Sequence, residues 1–337
     1  RVGDAFCGGG SVPFEAARLG CDAFGSDLNP VAALLTWASL NIVGGSEDTV
    51  EEVRKAQEEI YAAVDRQVTE WDIEHNDRGW RADAYLYCLE TECPECGVDV
   101  PLAPSWQLAP KYNVIAEPVH DEDADTIELK ICERVSNKDW KSASDGTVRS
   151  DRLHCPACGR STPMRMVRGD RRGDDGTEYG LRMWDNKDIV PRPGDTFQER
   201  LYCVRWLETY TNSDGKEKTR RHYRSVTDAD REREAKVLRL LEERFDEWQE
   251  KGYIPSRRIE PGYNTDQPIR ERGWTHWHHL FNPRQLLLNG LFSKVSDNQD
   301  VIEAGLLFEG RLIEYNSRLS RWKPKDGGGI GGVVNVF

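Results

Sequence analysis

Long apolar runs are missing from this sequence of 337 residues. No stretch approaches the about 20 consecutive apolar residues that a membrane-spanning helix requires, and no segment has the pattern of a secretory signal peptide. The nine cysteines are too few for the disulfide scaffold of a secreted mini-protein, and the repeats of collagen and coiled coils are absent. We therefore expect a cytoplasmic protein without a membrane partner, built as two domains or as one α/β domain with a large insertion.

Lysine is also scarce. Of the 46 basic residues, 13 are lysine and 33 are arginine, and 59 acidic residues outnumber them, which gives a net charge of −13. Taken alone, this balance argues against a general nucleic-acid-binding protein. An acid-rich, lysine-poor surface is, however, typical of halophilic proteins in a salt-rich cytoplasm. In such a protein, we expect local basic clusters to be more informative than the total charge.

A glycine-rich loop near the amino terminus is the most informative segment. Residues 2–6 predict a strand, the loop Cys7-Gly8-Gly9-Gly10-Ser11 follows, and a helix is expected over 12–19. A second strand is expected over 22–26, with Asp27 at its end and an apolar helix after it. This order of strand, glycine loop, helix, strand and acid is typical of the first half of a nucleotide-binding α/β unit.

The loop and the acid suit a cofactor that carries a ribose. Gly8 and Gly10 leave room for a carboxylate or phosphate to approach the backbone, and the following helix adds free N–H groups. Asp27, 17 residues after Gly10, can accept hydrogen bonds from both ribose hydroxyls. Two cofactors fit this pattern. A dinucleotide fingerprint needs glycine where Pro13 stands, which disfavours a nicotinamide cofactor, whereas the turn from Asp4 to Gly10 resembles motif I of the S-adenosylmethionine (AdoMet)-dependent amino-methyltransferases.

The wider sequence resembles the zinc-ribbon-containing family of adenine-specific DNA methylases, which occurs in restriction and anti-phage systems. The run DAFCGGGSVPFEAARLGCDAFGSDLNPVAALL at 4–35 carries most of the resemblance. Ala5 and Cys7 depart mildly from the family pattern there, and we expect Cys7 to serve in packing. Supporting segments are CPECGVDVPL at 93–102, CPACG at 155–159, FNPRQLL at 281–287 and EYNSRLSRW at 314–322.

The resemblance implies a fold, an activity and a cofactor site. The fold would be α/β, a partial Rossmann-like AdoMet-dependent methyltransferase fold with a zinc-ribbon-containing α+β insertion. The activity would be methylation of adenine N6 in double-stranded DNA, in restriction–modification or phage defence. The implied cofactor-binding residues are Asp4, Phe6, Gly8, Gly9, Gly10 and Ser11 in the first loop, Asp27 at the ribose, and Leu28, Asn29 and Pro30 beside the adenosine.

One element of that family is missing from the sequence. The family polarises the exocyclic amine with an Asp/Asn-Pro-Pro-aromatic tetrapeptide, and this chain contains none. In the family the motif lies beyond the segment that stops here at Phe337. We therefore expect a second chain or a carboxyl-terminal continuation to carry it, the isolated chain to be inactive, and the catalytic residues to lie outside this sequence.

Two Cys-x-x-Cys pairs predict a metal site. Cys93 and Cys96 stand in CPECG, and Cys155 and Cys158 stand in CPACG, which are zinc-knuckle turns. Four thiolates suit a closed, tetrahedral structural zinc, which leaves no open position for chemistry. The pairs are 58 residues apart, so we expect the zinc ribbon to hold an insertion between its knuckles. Reduced pairs without metal, a redox pair and His154 as a ligand are the alternatives.

Two basic islands interrupt the acidic chain and are candidates for contacts with DNA phosphates. The alternative is that each island is a solvated loop face. A dense aromatic–histidine cluster, Trp274 to His279, is expected to be packing rather than a metal site. The island residues are Arg165, Arg168, Arg171 and Arg172 in the first, and Lys218, Arg220, Arg221 and Arg224 in the second.

Five regions follow from these patterns. We expect long helices over about 46–71, 228–251, 283–295 and 300–322. The leading function is the AdoMet-binding and zinc-ribbon portion of an adenine-specific DNA methyltransferase, and the alternative is a non-catalytic zinc-ribbon nucleic-acid-binding subunit. The regions are 1–45 for the cofactor motif, 46–79 as a helical connector, 80–225 for the zinc-ribbon insertion that contacts the target, 226–280 as helix and linker, and 281–337 as helices that return to the methyltransferase domain.

Overall fold

Two compact units make up the chain in the computed structural model. The first comprises residues 1–71 and 287–316, and the second comprises residues 72–286 and 317–337. The structure describes residues 1–121, 125–173, 176–178, 180–263, 265–297, 316–325 and 332–334.

The described part of the first unit contains a small parallel sheet, three helices and residues 287–296 of a fourth. Its two strands pair in register from Val2↔Ala23 to Asp4↔Gly25. A short π-helical turn over Ser39–Val43 continues the second helix, and Ser46 caps the third by accepting a hydrogen bond from the Thr49 N–H. The elements are β1 (Val2–Asp4), α1 (Ser11–Arg18), β2 (Ala23–Gly25), α2 (Pro30–Ala38) and α3 (Glu47–Glu70).

The second unit is built on a seven-stranded mixed sheet, which a three-stranded sheet and two hairpins accompany. Its elements are β3 (Arg81–Glu92), β4 (Asp99–Leu102), β5 (Gln107–Ala109), β6 (Val114–Asp121), β7 (Thr126–Cys132), α4 (Asn137–Ser142), β8 (Val148–Arg149), β9 (Arg152–His154), β10 (Ser161–Pro163), α5 (Met164–Val167), β11 (Arg171–Gly173), β12 (Gly176–Glu178), β13 (Gln198–Thr211), β14 (Glu217–Ser225), α6 (Asp228–Glu242), α7 (Phe245–Glu250), α8 (Asp266–Arg272), α9 (Pro283–Ser296, whose end belongs to the first unit), β15 (Arg321–Lys323) and β16 (Gly332–Val334).

The large sheet runs in the order β14-β13-β3-β4-β7-β6-β5. Only β4 and β7 pair parallel in it, and the other neighbours are antiparallel. A large mixed sheet accompanied by helices is compatible with the α/β class that the sequence predicts, and the Rossmann-like methyltransferase fold stays a prediction. None of the described helices is long and apolar enough to cross a lipid bilayer.

The helices expected over about 46–71 and 283–295 are present, and two other expected helices differ from the structure. The helix expected over 228–251 is interrupted after Glu242 and resumes at Phe245. The helix expected over 300–322 falls mostly on residues 298–315, which lie outside the described residues, but its last part is a turn followed by strand β15. There the Trp322 indole N–H donates to the Leu108 carbonyl at 2.9 Å, so a tertiary contact overrides the helical pattern.

A buried guanidinium holds the start of α9 to the large sheet. Asn282 and Gln285 exchange side-chain-to-backbone hydrogen bonds of 2.9 Å, which begin the helix as a capping box. Arg284 then donates to Glu234 at 2.9 Å and to the Ile73 carbonyl at 3.0 Å, and its guanidinium lies 3.9 Å from the Tyr85 ring centre. The FNPRQLL segment therefore anchors the helix through a desolvated ion pair.

We expect Arg284→Ala to destabilise the second unit by about 3–5 kcal/mol, because the change leaves the Glu234 carboxylate without its buried partner. Arg231→Ala, which removes an exposed pair with Asp228, should change the free energy of unfolding by less than about 1 kcal/mol. Urea unfolding followed by tryptophan fluorescence measures both. Equal losses in the two variants would contradict the role given to Arg284.

Candidate metal centre and cofactor loop

The two Cys-x-x-Cys segments form matching turns. In the first, the Cys93 N–H donates to the Val98 carbonyl and the Gly97 N–H donates back to the Cys93 carbonyl, at 2.8 and 2.9 Å. In the second, the same two bonds join Cys155 with residues 160 and 159, each at 3.0 Å. One turn connects β3 with β4 and the other connects β9 with β10. Each turn is thus fixed by the ladder of its own hairpin.

The turns bring all four sulfurs together. The four Sγ atoms lie within 4.8 Å of one another, with 3.9 Å between Cys93 and Cys158 and 3.7 Å between Cys96 and Cys155. A tetrahedral zinc with bonds of about 2.3 Å needs sulfurs about 3.8 Å apart. The donor set and the spacing therefore fit a structural zinc. His154 is not part of this cluster, which is the one potential metal site among the described residues.

The thiols of the cluster differ in acidity, and Arg160 lies beside them. Burial raises the pKa of the Cys155 thiol to about 12, whereas a hydrogen bond from the Arg160 N–H lowers the pKa of Cys158. A metal ion must therefore displace protons from thiols that differ in acidity. Arg160 also bonds Glu95 of the other turn at 2.7 Å, so its positive charge lies beside the four sulfurs and links the two knuckles.

The glycine loop lies at the carboxyl ends of β1 and β2, the edge at which parallel α/β sheets bind ligands. Asp4 ends β1, Gly10 precedes α1, and Asn29 caps α2. A Cβ atom on Gly10 would lie 2.8 Å from the Thr36 hydroxyl, so the loop closes onto α2 only because this residue has no side chain. A Cβ on Gly8 or Gly9 would meet nothing within 4 Å, which leaves that side of the loop open to a ligand.

Asp27 joins the loop to the second strand. Its Oδ2 accepts a hydrogen bond from the Gly8 N–H at 2.9 Å, and its Oδ1 accepts one from the Asn29 N–H at 2.9 Å. These bonds, the one from Asn29 foremost, lower the pKa of the carboxyl group, so it is ionised at neutral pH. Each oxygen keeps a lone pair for a further donor.

The structure brings the sequence-predicted cofactor residues to one edge of the small sheet. Phe6 and Leu28 flank the loop with side chains that are 79% and 92% exposed. Cys7 is buried and its sulfur lies 3.1 Å from the Thr36 hydroxyl. The structural importance of Thr36 was not predicted, because the sequence pattern gives no indication that α2 touches the glycine loop.

The two basic islands lie on different elements, and their basic side chains differ in exposure and in ion pairing. Arg165 and Arg171 are exposed, while Arg168 is largely buried against Asp170 at 2.9 Å; the side chain of Arg172, in β11, lies outside the described part. Of the four residues in β14, Arg220 bonds Glu208, Arg224 bonds Glu133, and Arg221 approaches Asp83 at 3.9 Å. Lys218 is exposed.

A tryptophan extends the basic surface on β14. Lys218, Arg220, His222 and Arg224 alternate along the strand and therefore share one face of the sheet. On this face the Trp80 and His222 rings stack at 4.1 Å with an interplanar angle of 6°. Trp80 was not predicted as a functional residue, since 141 residues separate it from His222 in the sequence.

Much of the aromatic–histidine cluster is packed in the interior of the second unit, although Trp277 is exposed. His278 and His279 are fully or almost fully buried, and their ring centres lie 4.2 Å apart. The His279 Nδ1 accepts hydrogen bonds from the N–H groups of Thr275 and His276. Burial, followed by the neighbouring histidine, lowers the pKa of His278 to about 4 and that of His279 to about 3.

We expect one zinc ion per chain, held by the four cysteines. Cys96→Ser should lower the zinc content and the melting temperature, because it removes one of four ligands. Cys21→Ser, which changes an exposed free cysteine, is the matched control. Elemental analysis and thermal unfolding measure the outcome. Full zinc retention in the Cys96 variant would contradict the four-cysteine site.

Acid should destabilise the second unit through its buried histidines. Their pKa values are depressed in the folded state, so below the usual pKa of about 6.5 the unfolded chain binds protons that the folded chain does not. The free energy of unfolding should fall by about 1.4 kcal/mol per pH unit for each histidine as the pH decreases from about 6.5. The fall should continue to about pH 4 for His278 and about pH 3 for His279.

His278→Gln should reduce this slope of the free energy of unfolding between pH 6.5 and 5, measured by urea unfolding. An unchanged slope would contradict the buried neutral state.

Comparison with protein-family models, with curated proteins and with solved structures finds no match for this chain. The function is therefore argued from the chain's own motifs and geometry.

Proposed function

We propose that this chain is the cofactor-binding and zinc-ribbon portion of an AdoMet-dependent DNA methyltransferase that acts on adenine N6. The observation that carries the proposal is the position of Asp27. Its ionised carboxylate closes the glycine loop and stands at the edge of a parallel strand pair, with lone pairs left for the hydroxyls of a ribose.

The open side of the loop supports this placement of the cofactor. Gly8 and Gly9 present backbone rather than side chains, so the carboxylate end of the methionine moiety can approach them closely. Phe6, which precedes the glycine loop, and Leu28, which follows Asp27, offer exposed apolar surface. In the proposal, Asp4 and Phe6 contact the methionine end, while Leu28, Asn29 and Pro30 contact the adenosine.

When bound, the cofactor supplies an electrophilic methyl group on a sulfonium. Transfer of this group to the exocyclic amine of the target base would form an N–C bond in place of the S–C bond, and the amine would lose a proton. The chain's own contribution is to hold and orient the cofactor, which removes the entropy cost of a bimolecular encounter. Polarisation of the amine is assigned to a partner segment that carries the Asp/Asn-Pro-Pro-aromatic motif.

Exposed apolar residues in the first unit support such a partner segment. Leu19, Phe24 and Val43 are each more than 60% exposed, and Phe24 lies in β2 itself. Parallel sheets are normally covered on both faces and contain more than two strands. Further strands that pack on this sheet would cover these side chains.

The basic face of β14 supports contact with nucleic acid. Arg78 lies 5.1 Å from the Trp80 ring centre, beside the stacked His222. Arg220 and Lys218 add exposed positive charge on the same face. Cations set around an aromatic ring are suited to phosphate contacts and base stacking.

A non-catalytic zinc-ribbon nucleic-acid-binding subunit is the second candidate function. The β14 face and the four-cysteine cluster favour it, because neither needs a cofactor. It gives no role to the Asp27 carboxylate or to the open glycine loop, so the methyltransferase explains more of the chain.

We expect the zinc-loaded chain to bind AdoMet saturably and Asp27→Ala to weaken binding by about 10–100-fold, since two hydrogen bonds to a charged group are lost. Asp22→Ala, at an exposed aspartate that pairs with Arg1, should bind as the unchanged chain does. Isothermal titration calorimetry measures the affinities, and circular dichroism checks that the variants are folded. Absence of AdoMet binding would favour the binding-subunit candidate, and a preference for NADH would favour an oxidoreductase.

A further inference from the structure

A cleft in the second unit gathers three arginines among aromatic side chains. Its lining includes Arg182, Arg272 and Arg318, with Trp184, Phe197 and Trp274 as walls. Two carboxylates, Asp195 and Glu199, also line it. The described lining thus holds more positive than negative charge, although the chain as a whole is acidic.

Two of the three arginines are fully engaged. Arg182 bonds both Asp195 oxygens, at 2.7 and 2.6 Å, and also donates to Asp188 at 2.6 Å. Arg318 bonds both Glu199 oxygens, at 3.1 and 3.0 Å, and donates to the carbonyls of His279 and Ile189. Both carboxylates of the cleft are therefore taken by these two guanidinium groups.

Arg272 has no carboxylate partner of this kind among the described residues. Its Nη1 donates to the Glu271 carbonyl at 2.9 Å, and its guanidinium lies 5.7 Å from the Phe197 ring centre. The Glu271 carboxylate itself receives hydrogen bonds from Arg270 and Gln267. Burial lowers the pKa of Arg272, with only partial compensation from Glu271. Arg272 is partly buried, and a partly desolvated cation without a bonded anion is unfavourable unless something else neutralises it.

The backbone holds Arg272 in place at the cleft. Gly273 ends α8 with a φ of 72°, and a Cβ atom there would lie 2.1 Å from the Arg182 carbonyl. The Trp184 N–H donates to the Gly273 carbonyl at 2.8 Å. The end of α8 is thus fixed against the segment that carries Arg182 and Trp184, and the position of Arg272 is built into the fold.

We propose that this cleft is a binding site for a small oxyanion of the phosphate class, held by the guanidinium of Arg272. A planar guanidinium with free donors matches the oxygens of a phosphate group. The same chemistry is offered by free phosphate and by a phosphate of a nucleic-acid backbone. The cleft belongs to the second unit and the Asp27 loop to the first, and the proposal does not depend on the proposed methyltransferase activity.

Inorganic phosphate is the probe for the test. The zinc-loaded chain is titrated with phosphate at constant ionic strength, and binding is followed by thermal unfolding and by the ³¹P line width. We expect a saturable rise in melting temperature. Arg272→Gln should weaken the apparent affinity at least about 10-fold, as loss of charge-assisted hydrogen bonds does. Arg270→Gln, which removes the same charge from the same helix outside the described lining, should respond as the unchanged chain does.

Stability without phosphate provides a second readout. Arg272→Gln should leave the melting temperature unchanged or raise it, because it removes an uncompensated cation, whereas Arg318→Gln should lower it by breaking the pair with Glu199. Arg272→Lys keeps the positive charge but loses the planar set of guanidinium donors, so it should show intermediate phosphate affinity. The proposal is overturned if the unchanged chain shows no saturable phosphate response, or if Arg272→Gln responds as strongly as Arg270→Gln.

Competition with duplex DNA distinguishes the two sources of the oxyanion. If DNA releases the bound phosphate and Arg272→Gln reduces the salt dependence of DNA binding by about one counterion, the natural ligand is a backbone phosphate. If DNA does not compete, the ligand is a free phosphate or a phosphorylated small molecule. Both results retain the oxyanion site.

Discussion

Four thiol groups that must share one small space set the arrangement of the second unit. Cys93 and Cys155 are buried with an apolar cluster that includes Val100, Ile127 and Leu153, so the sulfurs are continuous with the core. Four ionised thiols at this spacing would repel one another without a cation, and four neutral thiols form only weak hydrogen bonds. A zinc ion would remove that conflict and would join two hairpins that are far apart in the sequence. The β3–β4 turn would then have a fixed position relative to β9 and β10.

The first unit depends on a shorter-range constraint. Asp27 closes the glycine loop, and Thr36 fills the space that the missing side chain of Gly10 leaves free. These contacts span fewer than 30 residues, so they can form locally. The small strand pair leaves large apolar side chains exposed, which is why the proposed function assigns a further segment to this unit. The four-cysteine cluster and the glycine loop belong to different units, and the role proposed for the first is structural whereas that proposed for the second is chemical.

The sequence predicts those structural features that depend on residues close to one another along the chain. The tight turns at the two Cys-x-x-Cys pairs, the start of the helix expected over 46–71 and the strand–loop–helix order around Gly10 all depend on residues within a few positions of one another, and the structure contains each of them. The pairing of β3 with β13 in the large sheet and the Trp80–His222 stack join residues that are more than 100 positions apart, and no pattern in one sequence encodes them. The end of the helix expected over 300–322 was wrong for the same reason, since Trp322 is held by Leu108. The sequence also did not predict that Arg272 lacks a bonded carboxylate. The two carboxylates of the cleft pair with Arg182 and Arg318 instead, and these pairings are seen only in the folded structure.

Cross-linking of the cofactor tests the proposed function most directly. The zinc-loaded chain is irradiated with AdoMet that carries a radioactive methyl group, digested, and mapped by peptide sequencing. The account predicts label in peptides that contain residues 4–11 or 27–30, and loss of that label in the presence of excess S-adenosylhomocysteine. Label confined to the second unit, or label that the competitor does not remove, would contradict the assignment of the Asp27 loop as the cofactor site.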